Sequence, residues 1–215
     1  MRVLILGAGG HGLVVADILL CAHRAGGVAV PIGYLDDAPT LRGQSRLGLP
    51  ILGPLEQLDG VPHDGVIVAV GDNATRQKLY EQLRQRGERF ATGVHPRSVI
   101  ASDVQVGPGT MVCAGAIVNP GSVVGQNVIL NTGCSVDHHN CIGDHVHIAP
   151  GAHLGGDVSI GEGTLVGIGA TVMPQRQVGD WAVVGAGSVV HSDLPDKVVA
   201  AGFPARVVRN LAMEE

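Results

Sequence analysis

An aliphatic residue returns at every sixth position through the second half of the chain. The series has no insertion, and all its members are Val, Ile or Leu: Ile100, Val106, Val112, Val118, Val124, Leu130, Val136, Ile142, Ile148, Leu154, Ile160, Val166, Val172, Val178, Val184 and Val190. If those three residue types filled about a quarter of positions at random, such a run would have a probability on the order of 10⁻¹⁰. The period therefore reflects a structural repeat.

A period of six matches neither an α-helix nor a simple β-strand. It suits a short flat strand followed by a corner. The aliphatic residue and a small residue two positions earlier point inward, and glycine eases the corner. Three such units close one triangular coil. Coils stacked about 4.8 Å apart would place each aliphatic side chain on those above and below, in a prism roughly 25 Å tall.

The unbroken repeat resembles that of the hexapeptide-repeat acyltransferases, over residues from Ile100 to about Arg206. The resemblance implies a left-handed parallel β-helix. That hand is opposite to the usual crossover rule, and the spacing does not fix it. The resemblance also implies a homotrimer with active sites at the subunit seams, and flat sides with outward aliphatic residues suit packing around a threefold axis.

Composition narrows the class of protein further. The chain has 33 glycines but only 2% aromatic residues, so its core must be built from Val, Ile, Leu and Ala. A net charge of -5 offers no basic field for nucleic acid. The chain has no long uncharged apolar run, no signal-peptide pattern and no paired cysteine spacing, so we expect a cytoplasmic protein without membrane insertion.

Residues 1–97 follow a different pattern, in which strands alternate with helices. Strands are expected at 2–7, 30–37, 64–71 and 90–95, and helices at 13–26 and 73–87. This alternation predicts an α/β domain, a small Rossmann-like half-domain, at 1–97. The all-β domain with its C-terminal tail is expected at 98–215.

Three glycines, Gly7, Gly9 and Gly12, form a GxGxxG pattern between the first strand and the first helix. Such a loop brings backbone N–H groups and a helix N-terminus against phosphate. Asp36 follows the glycine loop at a spacing that a dinucleotide site tolerates. A nicotinamide-dependent oxidoreductase is therefore an alternative hypothesis. Fewer than 100 residues hold only half a dinucleotide fold, which favours a mononucleotide such as the diphosphate of a nucleotide sugar.

The motifs GAGGHG (7–12), YLDD (34–37) and AVGDN (69–73), fused to a hexapeptide helix, resemble bacterial nucleotide-sugar N-acetyltransferases of the diacetylbacillosamine and N-acetylperosamine pathways. The sialic acid O-acetyltransferase branch has the same architecture. The resemblance implies that loops of the N-terminal domain bind the nucleotide-sugar substrate. The implied substrate-binding residues are Gly9, Gly10, His11, Asp36, Asp37 and Gly71.

Five histidines lie close together between residues 138 and 153. Histidine suits the removal of a proton from an attacking amine because its pKa lies near neutrality. A zinc site and a nucleophilic Cys134 or Cys141 are the alternatives. No carboxylate or cysteine falls at an obvious ligand spacing, and the histidines fall on different corners and faces, so no metal is expected.

In NTGCSVDHHNCIGDHVHIAPG (131–151) the resemblance implies that His138 is the general base and that His147 meets acetyl-CoA near its thioester. The family often has Glu directly after the base, where this chain has His139. Asp137 or an acid from another coil is then left to orient the base.

The resemblance further implies acetyl-CoA as the co-substrate, lying along the helix between two subunits. Ile168 and Ala186 occupy the positions that meet its pantetheine, and Arg206 in the tail faces a CoA phosphate. The resemblance thus implies an acetyl-CoA-dependent N-acetyltransferase acting on a nucleotide-linked 4-amino-4,6-dideoxy sugar, with His138 as general base and direct transfer that needs no acyl-enzyme. O-acetylation of sialic acid or a related sugar, and a non-catalytic binding or scaffold protein, are the alternatives.

Overall fold

The structure is a computed structural model that describes residues 1–211. The chain divides into two compact units, Met1–Pro96 and a second unit that starts at Arg97. Residues 212–215, the end of the tail expected from the sequence, lie outside the described part. None of the helices in the described range is long and apolar enough to cross a membrane.

The first unit is an α/β domain. Its strands are β1 (Arg2–Leu6), β2 (Val30–Leu35), β3 (Ser45–Arg46), β4 (Leu49–Gly53), β5 (Gly65–Val68) and β6 (Gly93–Val94), and its helices are α1 (Gly10–Arg24) and α2 (Asn73–Gln85). Five strands form a sheet of order β3-β4-β2-β1-β5, in which all but β3 are parallel. Buried residues at helical spacing on α1 (Val15, Ala16, Ile18 and Leu19) form its apolar face.

The expected helices and the three long strands are confirmed, with small shifts at their ends. The antiparallel pair β3 and β4 has no counterpart in the sequence reading, because Gly48 and Pro50 interrupt an otherwise short apolar segment. The strand expected at 90–95 is reduced to a single bridge between Phe90 and Val66, followed by β6. The predicted parallel α/β class is correct, but the sequence pattern did not predict the β3–β4 edge of the sheet.

The second unit is a triangular parallel β-helix of three faces. The first face contains β7 (Val99–Ile100), β10 (Ile117–Val118), β13 (Ser135–Val136), β16 (His153–Leu154), β19 (Thr171–Val172) and β22 (Val189–Val190). The second contains β8 (Gln105–Val106), β11 (Val123–Val124), β14 (Cys141–Ile142), β17 (Ser159–Ile160) and β20 (Gln177–Val178). The third contains β9 (Met111–Val112), β12 (Ile129–Leu130), β15 (His147–Ile148), β18 (Leu165–Val166), β21 (Val183–Val184), β23 (Val198–Gly202) and β24 (Ala205–Asn210).

Each short strand pairs in parallel with the equivalent strands of the coils before and after it. Ile117, for example, pairs with Val99 on one side and Ser135 on the other. The coils form the left-handed parallel β-helix implied by the resemblance. The antiparallel hairpin of β23 and β24 ends the third face.

The repeated aliphatic residues form the core, as the period predicts. All are buried except Ile100 and Val106, which lie in the first coil and are partly buried against the same cluster. The small residues two positions earlier, such as Ala116 and Ala170, are also fully buried. Several outward positions of the strands are exposed, and Val99 on the first face is 63% exposed.

The corners require backbone conformations that most residues avoid. We name the corner between the first and second faces the first corner, that between the second and third faces the second corner, and that between the third and first faces the third corner. At the third corner glycine takes the left-handed position in successive coils: Gly115, Gly133, Gly151, Gly169 and Gly187. At the first corner His139 and Asp157 take it instead, with φ of 55° and 58°, although a left-handed residue other than glycine costs roughly 1–2 kcal/mol.

Inward hydroxyl groups tie successive coils together. Thr164 Oγ1 donates to the carbonyl oxygen of Gly179 at 2.6 Å and accepts from the N–H of Ala182 at 2.9 Å. Thr110 does the same at the equivalent corner position three coils earlier, with the carbonyl of Gly125 and the N–H of Val128. These hydroxyls satisfy backbone groups that the coils bury.

Replacing Thr164 with Val should lower the melting temperature, because the isosteric side chain leaves the buried N–H of Ala182 and one lone pair of Gly179 unpaired. The expected loss is about 1–3 kcal/mol. Thermal unfolding followed by circular dichroism measures it. Thr171→Val, on the outward side of β19, is the matched control and should change stability by less than about 0.5 kcal/mol. Equal melting temperatures for the two variants would contradict the role of the buried hydroxyl.

Candidate active site

Two adjacent histidines project from the first corner, directly after β13. His138 and His139 are both exposed, and their Nδ1 atoms lie 3.0 Å apart. Their rings are edge to face, with centroids 5.2 Å apart. Because one Nδ1 must donate to the other, the donor ring carries its proton on Nδ1 and has a lone pair on Nε2.

The Asp137 carboxylate holds the backbone beside these rings. Its Oδ1 accepts from the N–H of His138 at 2.8 Å and from Nδ2 of Asn119 at 2.9 Å. These contacts, the Asn119 amide first, lower the pKa of Asp137 below its usual value. Among the described residues, the hydrogen bonds of this carboxylate go to a backbone amide and a side-chain amide rather than to the imidazole. Asp137 therefore positions the chain at the base.

An acid from the next coil lies beside both rings. Asp157 takes the same corner position as His139 one coil later, and its N–H donates to the carbonyl oxygen of His138 at 3.0 Å. A carboxylate oxygen of Asp157 and one nitrogen each of His138 and His139 all lie within 4.8 Å of one another. The acid expected from another coil is thus present at the candidate base.

Two glycines make room for the pair of imidazoles. A Cβ atom at Gly156 would lie 2.4 Å from Cε1 of His138 and 2.6 Å from its Nε2. A Cβ atom at Gly121 would lie 2.6 Å from Cδ2 of His139. Neither glycine was among the expected site residues. The signal was present in the sequence as a glycine one full coil away from each histidine.

The positions expected to meet pantetheine share the third corner. Ile168 and Ala186 are exposed and stack one coil apart, since the N–H of Gly187 donates to the carbonyl oxygen of Ile168 at 2.8 Å. Next to them the glycines of that corner leave the backbone bare. A Cβ atom at Gly133, Gly151, Gly169 or Gly187 would meet no atom within 4 Å. Bare backbone along an edge is where an extended ligand can approach closely.

His147 and Arg206 are separated from the candidate base. His147 is half-buried on the third face, with its Nε2 3.0 Å from Nδ2 of Asn131. Arg206, on β24, is exposed, and its Nη1 lies 3.0 Å from Nε2 of His191. His138 lies at the first corner, which is opposite the third face in a triangular coil. One chain therefore does not bring His138 and His147 into one site.

The glycine loop of the first unit is built on two close approaches. Gly7 has a φ of 108°, and a Cβ atom there would lie 2.8 Å from the carbonyl oxygen of Ala69. A Cβ atom at Gly12 would lie 2.2 Å from the carbonyl oxygen of Gly7. Gly9 caps α1 and Gly10 opens it, and both are exposed with open space around them. The helix N-terminus is therefore accessible to a phosphate group.

The two aspartates expected to bind substrate, Asp36 and Asp37, both accept hydrogen bonds from backbone N–H groups in this structure. Asp36 accepts from the N–H of Ala8 at 2.7 Å and from that of Ala38 at 2.9 Å. Asp37 accepts from the N–H of Leu55 at 2.8 Å. Asp36 thus fastens the end of β2 to the glycine loop, which is a positioning role that the sequence reading did not anticipate.

A buried arginine organises the loop that contains Gly71. Arg76 is fully buried on α2 and donates to the carbonyl oxygens of Val70 at 3.1 Å and Gly71 at 3.4 Å. Nε2 of His11 is buried and has no hydrogen-bond partner among the described residues. Burial, and then the charge of Arg76, lowers the pKa of His11 to about 4. His11 is therefore neutral at physiological pH, with an unused polar atom beside the glycine loop.

The alternative nucleophile Cys134 is poorly suited to catalysis. It is fully buried, and burial raises its pKa to about 12, so it has almost no thiolate at neutral pH. Cys141 is exposed on β14. The imidazole pair remains the best candidate for acid–base chemistry in the second unit.

Comparisons with known proteins match both units. The family model of the PglD N-terminal domain matches residues 2–83, and that of the bacterial transferase hexapeptide (six repeats) matches residues 157–192. The chain is 38% identical over 117 residues to UDP-N-acetylbacillosamine N-acetyltransferase of Bacillus subtilis, covering 53% of this chain and 51% of that protein. It is 30% identical over 135 residues to GDP-perosamine N-acetyltransferase of Escherichia coli O157:H7, covering 63% and 53%. The match spans about half the length of these curated relatives.

Solved structures match over nearly the whole chain. The acetyltransferase domain of PglB from Neisseria gonorrhoeae, in complex with acetyl coenzyme A, is 36% identical with a TM-score of 0.87, covering 96% of this chain and 98% of that one. PerB from Caulobacter crescentus, in complex with CoA and GDP-perosamine, is 36% identical with a TM-score of 0.88, covering 97% and 98%.

Replacing Gly156 with Ala should displace the imidazole of His138 without unfolding the chain. The new methyl group would overlap the far end of a flexible side chain, which can swing away toward solvent. A crystal structure of the variant should show the ring moved by roughly 1 Å or more, a displacement large enough to disturb catalysis. Gly60→Ala, which meets no atom within 4 Å, is the control. An unmoved ring would show that Gly156 is not needed for its placement.

Proposed function

The chain belongs to the hexapeptide-repeat nucleotide-sugar N-acetyltransferases with a PglD-type N-terminal domain, and we propose that it transfers the acetyl group of acetyl-CoA to the amine of a nucleotide-linked amino sugar. The sugar of the proposal is of the 4-amino-4,6-dideoxy type. The observation that carries the proposal is the His138–His139 contact at an exposed corner, because with His138 as the donor ring it leaves Nε2 of His138 to accept a proton.

The proposed chemistry is a direct transfer. Nε2 of His138 takes a proton from the sugar amine as the nitrogen attacks the thioester carbonyl. The tetrahedral intermediate then collapses, the C–S bond breaks, and the imidazolium returns its proton to the departing thiolate of CoA. No acyl-enzyme is needed, which agrees with the burial of Cys134.

His139 and Asp157 support the base in this proposal. Nδ1–H of His138 donates to Nδ1 of His139, which holds the ring in the tautomer that presents Nε2. The nearby carboxylate of Asp157 stabilises the positive charge that forms on the rings during transfer. Asp137 acts one step further away by fixing the backbone of His138.

Acetyl-CoA is proposed to lie along the third corner. The bare glycine backbone there accepts an extended pantetheine, flanked by the exposed side chains of Ile168 and Ala186. Arg206 is exposed and carries a charge suited to a CoA phosphate. His147 is the proposed contact near the thioester.

The first unit is proposed to hold the nucleotide. Gly9 and Gly10 present the N-terminus of α1 to the diphosphate, and His11, the next residue of the same loop, completes this part of the proposed substrate site. Gly71 lies in a loop that Arg76 holds in place. Asp36 and Asp37 shape the neighbouring loops through their backbone contacts.

A homotrimer in the cytoplasm, where acetyl-CoA is available, completes the proposal. His138 and His147 lie on opposite sides of one prism, so a site that uses both needs two copies of the chain. The proposed seam pairs the first corner of one subunit with the third face and third corner of its neighbour. Activity then depends on assembly.

Replacing His138 with Ala should lower kcat for acetyl transfer by about 10²–10⁴-fold, the usual contribution of a general base. The assay follows acetyl-CoA consumption with a panel of nucleotide-linked 4-amino sugars. His153→Ala is the control and should keep the activity of the wild type. His153 is exposed on β16, which lies on the first face one coil after β13. Near-normal turnover by the His138 variant would remove this residue from the mechanism. Preference for a hydroxyl acceptor, such as sialic acid, over the amines would identify an O-acetyltransferase instead.

Mixed assemblies test the seam. His138→Ala and His147→Ala variants, each weakly active alone, should regain activity when their subunits are mixed and reassembled, because some seams then combine two intact histidines. Random mixing of equal amounts should restore roughly a quarter of the wild-type sites if each site takes one histidine from each of two subunits. Mixing His138→Ala with itself, through the same unfolding and reassembly, is the control. No recovery in mixtures that assemble normally would place both histidines in one subunit.

A further inference from the structure

The first corner groups two imidazoles and a carboxylate that together have the composition of a metal site. One ligand atom each of His138, His139 and Asp157 lies within 4.8 Å of the others. All three side chains are exposed, so an ion can reach them from solvent and the rings can adjust to it. We propose that these residues form a reversible inhibitory site for a divalent transition-metal ion, best fitted by zinc.

The distances suit this ion. Two nitrogens bound to zinc at about 2.0–2.1 Å with tetrahedral angles lie about 3.3 Å apart. The Nδ1 atoms of His138 and His139 are already 3.0 Å apart. Since one ligand atom of each residue lies within 4.8 Å of the others, side-chain movements of roughly 1–2 Å would complete a three-ligand site, with water in the fourth position.

The chemistry of the ligands selects the metal. Two neutral imidazoles and one carboxylate suit zinc and similar transition metals, whereas magnesium prefers oxygen ligands and keeps its water. The site also depends on the histidine at 139, which supplies the second imidazole. The carboxylate comes from the next coil, where Asp157 takes the same left-handed backbone position as His139.

Inhibition follows from the nitrogen that the ion would occupy. In the proposed mechanism Nδ1 of His138 carries the proton and Nε2 is the base. Zinc bound at Nδ1 requires the other tautomer: the ring gives the Nδ1 proton to solvent and takes one up at Nε2, so the neutral ring still carries a single N–H proton. The nitrogen that faces the amine then has no lone pair to accept a proton. The inhibitory effect rests on the proposed function, whereas the binding site does not.

A second group of ligand atoms in the first unit requires a control. Asp17, Cys21 and His95 also bring one ligand atom each within 4.8 Å of the others. Sγ of Cys21 lies 3.7 Å from Asp17, and Nε2 of His95 lies 3.9 Å from it. Zinc bound there would add to the stoichiometry without touching the base, so Cys21→Ser separates the two groups.

The test titrates zinc chloride into the metal-stripped full chain by calorimetry, with magnesium chloride as the control ion. Wild type and Cys21→Ser should both retain a zinc site that Asp157→Asn and His139→Gln weaken by at least about tenfold. Chemical shifts of His138 and His139, followed by NMR, should move with zinc in Cys21→Ser. Unchanged shifts in that variant, or equal zinc affinity in Cys21→Ser and the Cys21→Ser/Asp157→Asn double variant, would overturn the proposal.

The activity arm uses thioester consumption as its signal, since free CoA thiol itself binds zinc. Zinc should inhibit the wild type and Cys21→Ser reversibly, with recovery on adding EDTA. Asp157→Asn, normalised to its own uninhibited rate, should need at least about tenfold more zinc for half-inhibition. If the chain transfers no acetyl group, the calorimetry and NMR still decide the site. If it does and zinc binds at this corner without inhibiting, the inhibitory role is wrong.

Discussion

The stacking of aliphatic side chains inside the prism is the contact on which the rest of the structure depends. Each inward Val, Ile or Leu lies on its equivalents in the neighbouring coils, so the register of the coils is fixed by burial rather than by long strands. The strands of the prism from β7 to β22 are each only two residues long. With the interior fully committed to this stack, polar chemistry is confined to the corners and to outward positions.

The third and first corners of the prism differ in the residues that take the left-handed backbone conformation. The third corner keeps glycine in every described coil from Gly115 to Gly187, and its backbone stays bare. The first corner instead carries His139 and Asp157 in the same left-handed conformation. Side chains that replace glycine at a strained position are more often retained for function than for stability. Because Asn127, His145 and Trp181 take the same conformation at the second corner, it is the pair of exposed imidazoles, and not the backbone alone, that distinguishes the first corner.

The sequence predicts the architecture well because each domain has a regular pattern along the chain: alternating strands and helices in the first, and a six-residue repeat in the second. The inward series, the glycine loop and the histidines at 138 and 147 can all be read along the chain. Asp157 and Gly156 were missed because they neighbour His138 across coils, at an offset of about one full coil, and the residues named from the sequence were its linear neighbours Asp137 and His139. Arg76 was missed for a different reason. A basic residue on a polar helix is expected at the surface, yet here tertiary contacts with loop carbonyls bury it.

The constant length of the coil has a consequence for how such a protein can change. Removing or adding one residue inside the prism would turn every later aliphatic side chain out of the stack, whereas removing or adding a whole coil would keep all pairings intact. This scaffold can therefore lengthen or shorten only by whole coils. An ancestor could lengthen the prism by duplicating a complete turn and leave the chemistry of the other turns untouched, whereas indels of any other size would be confined to the ends.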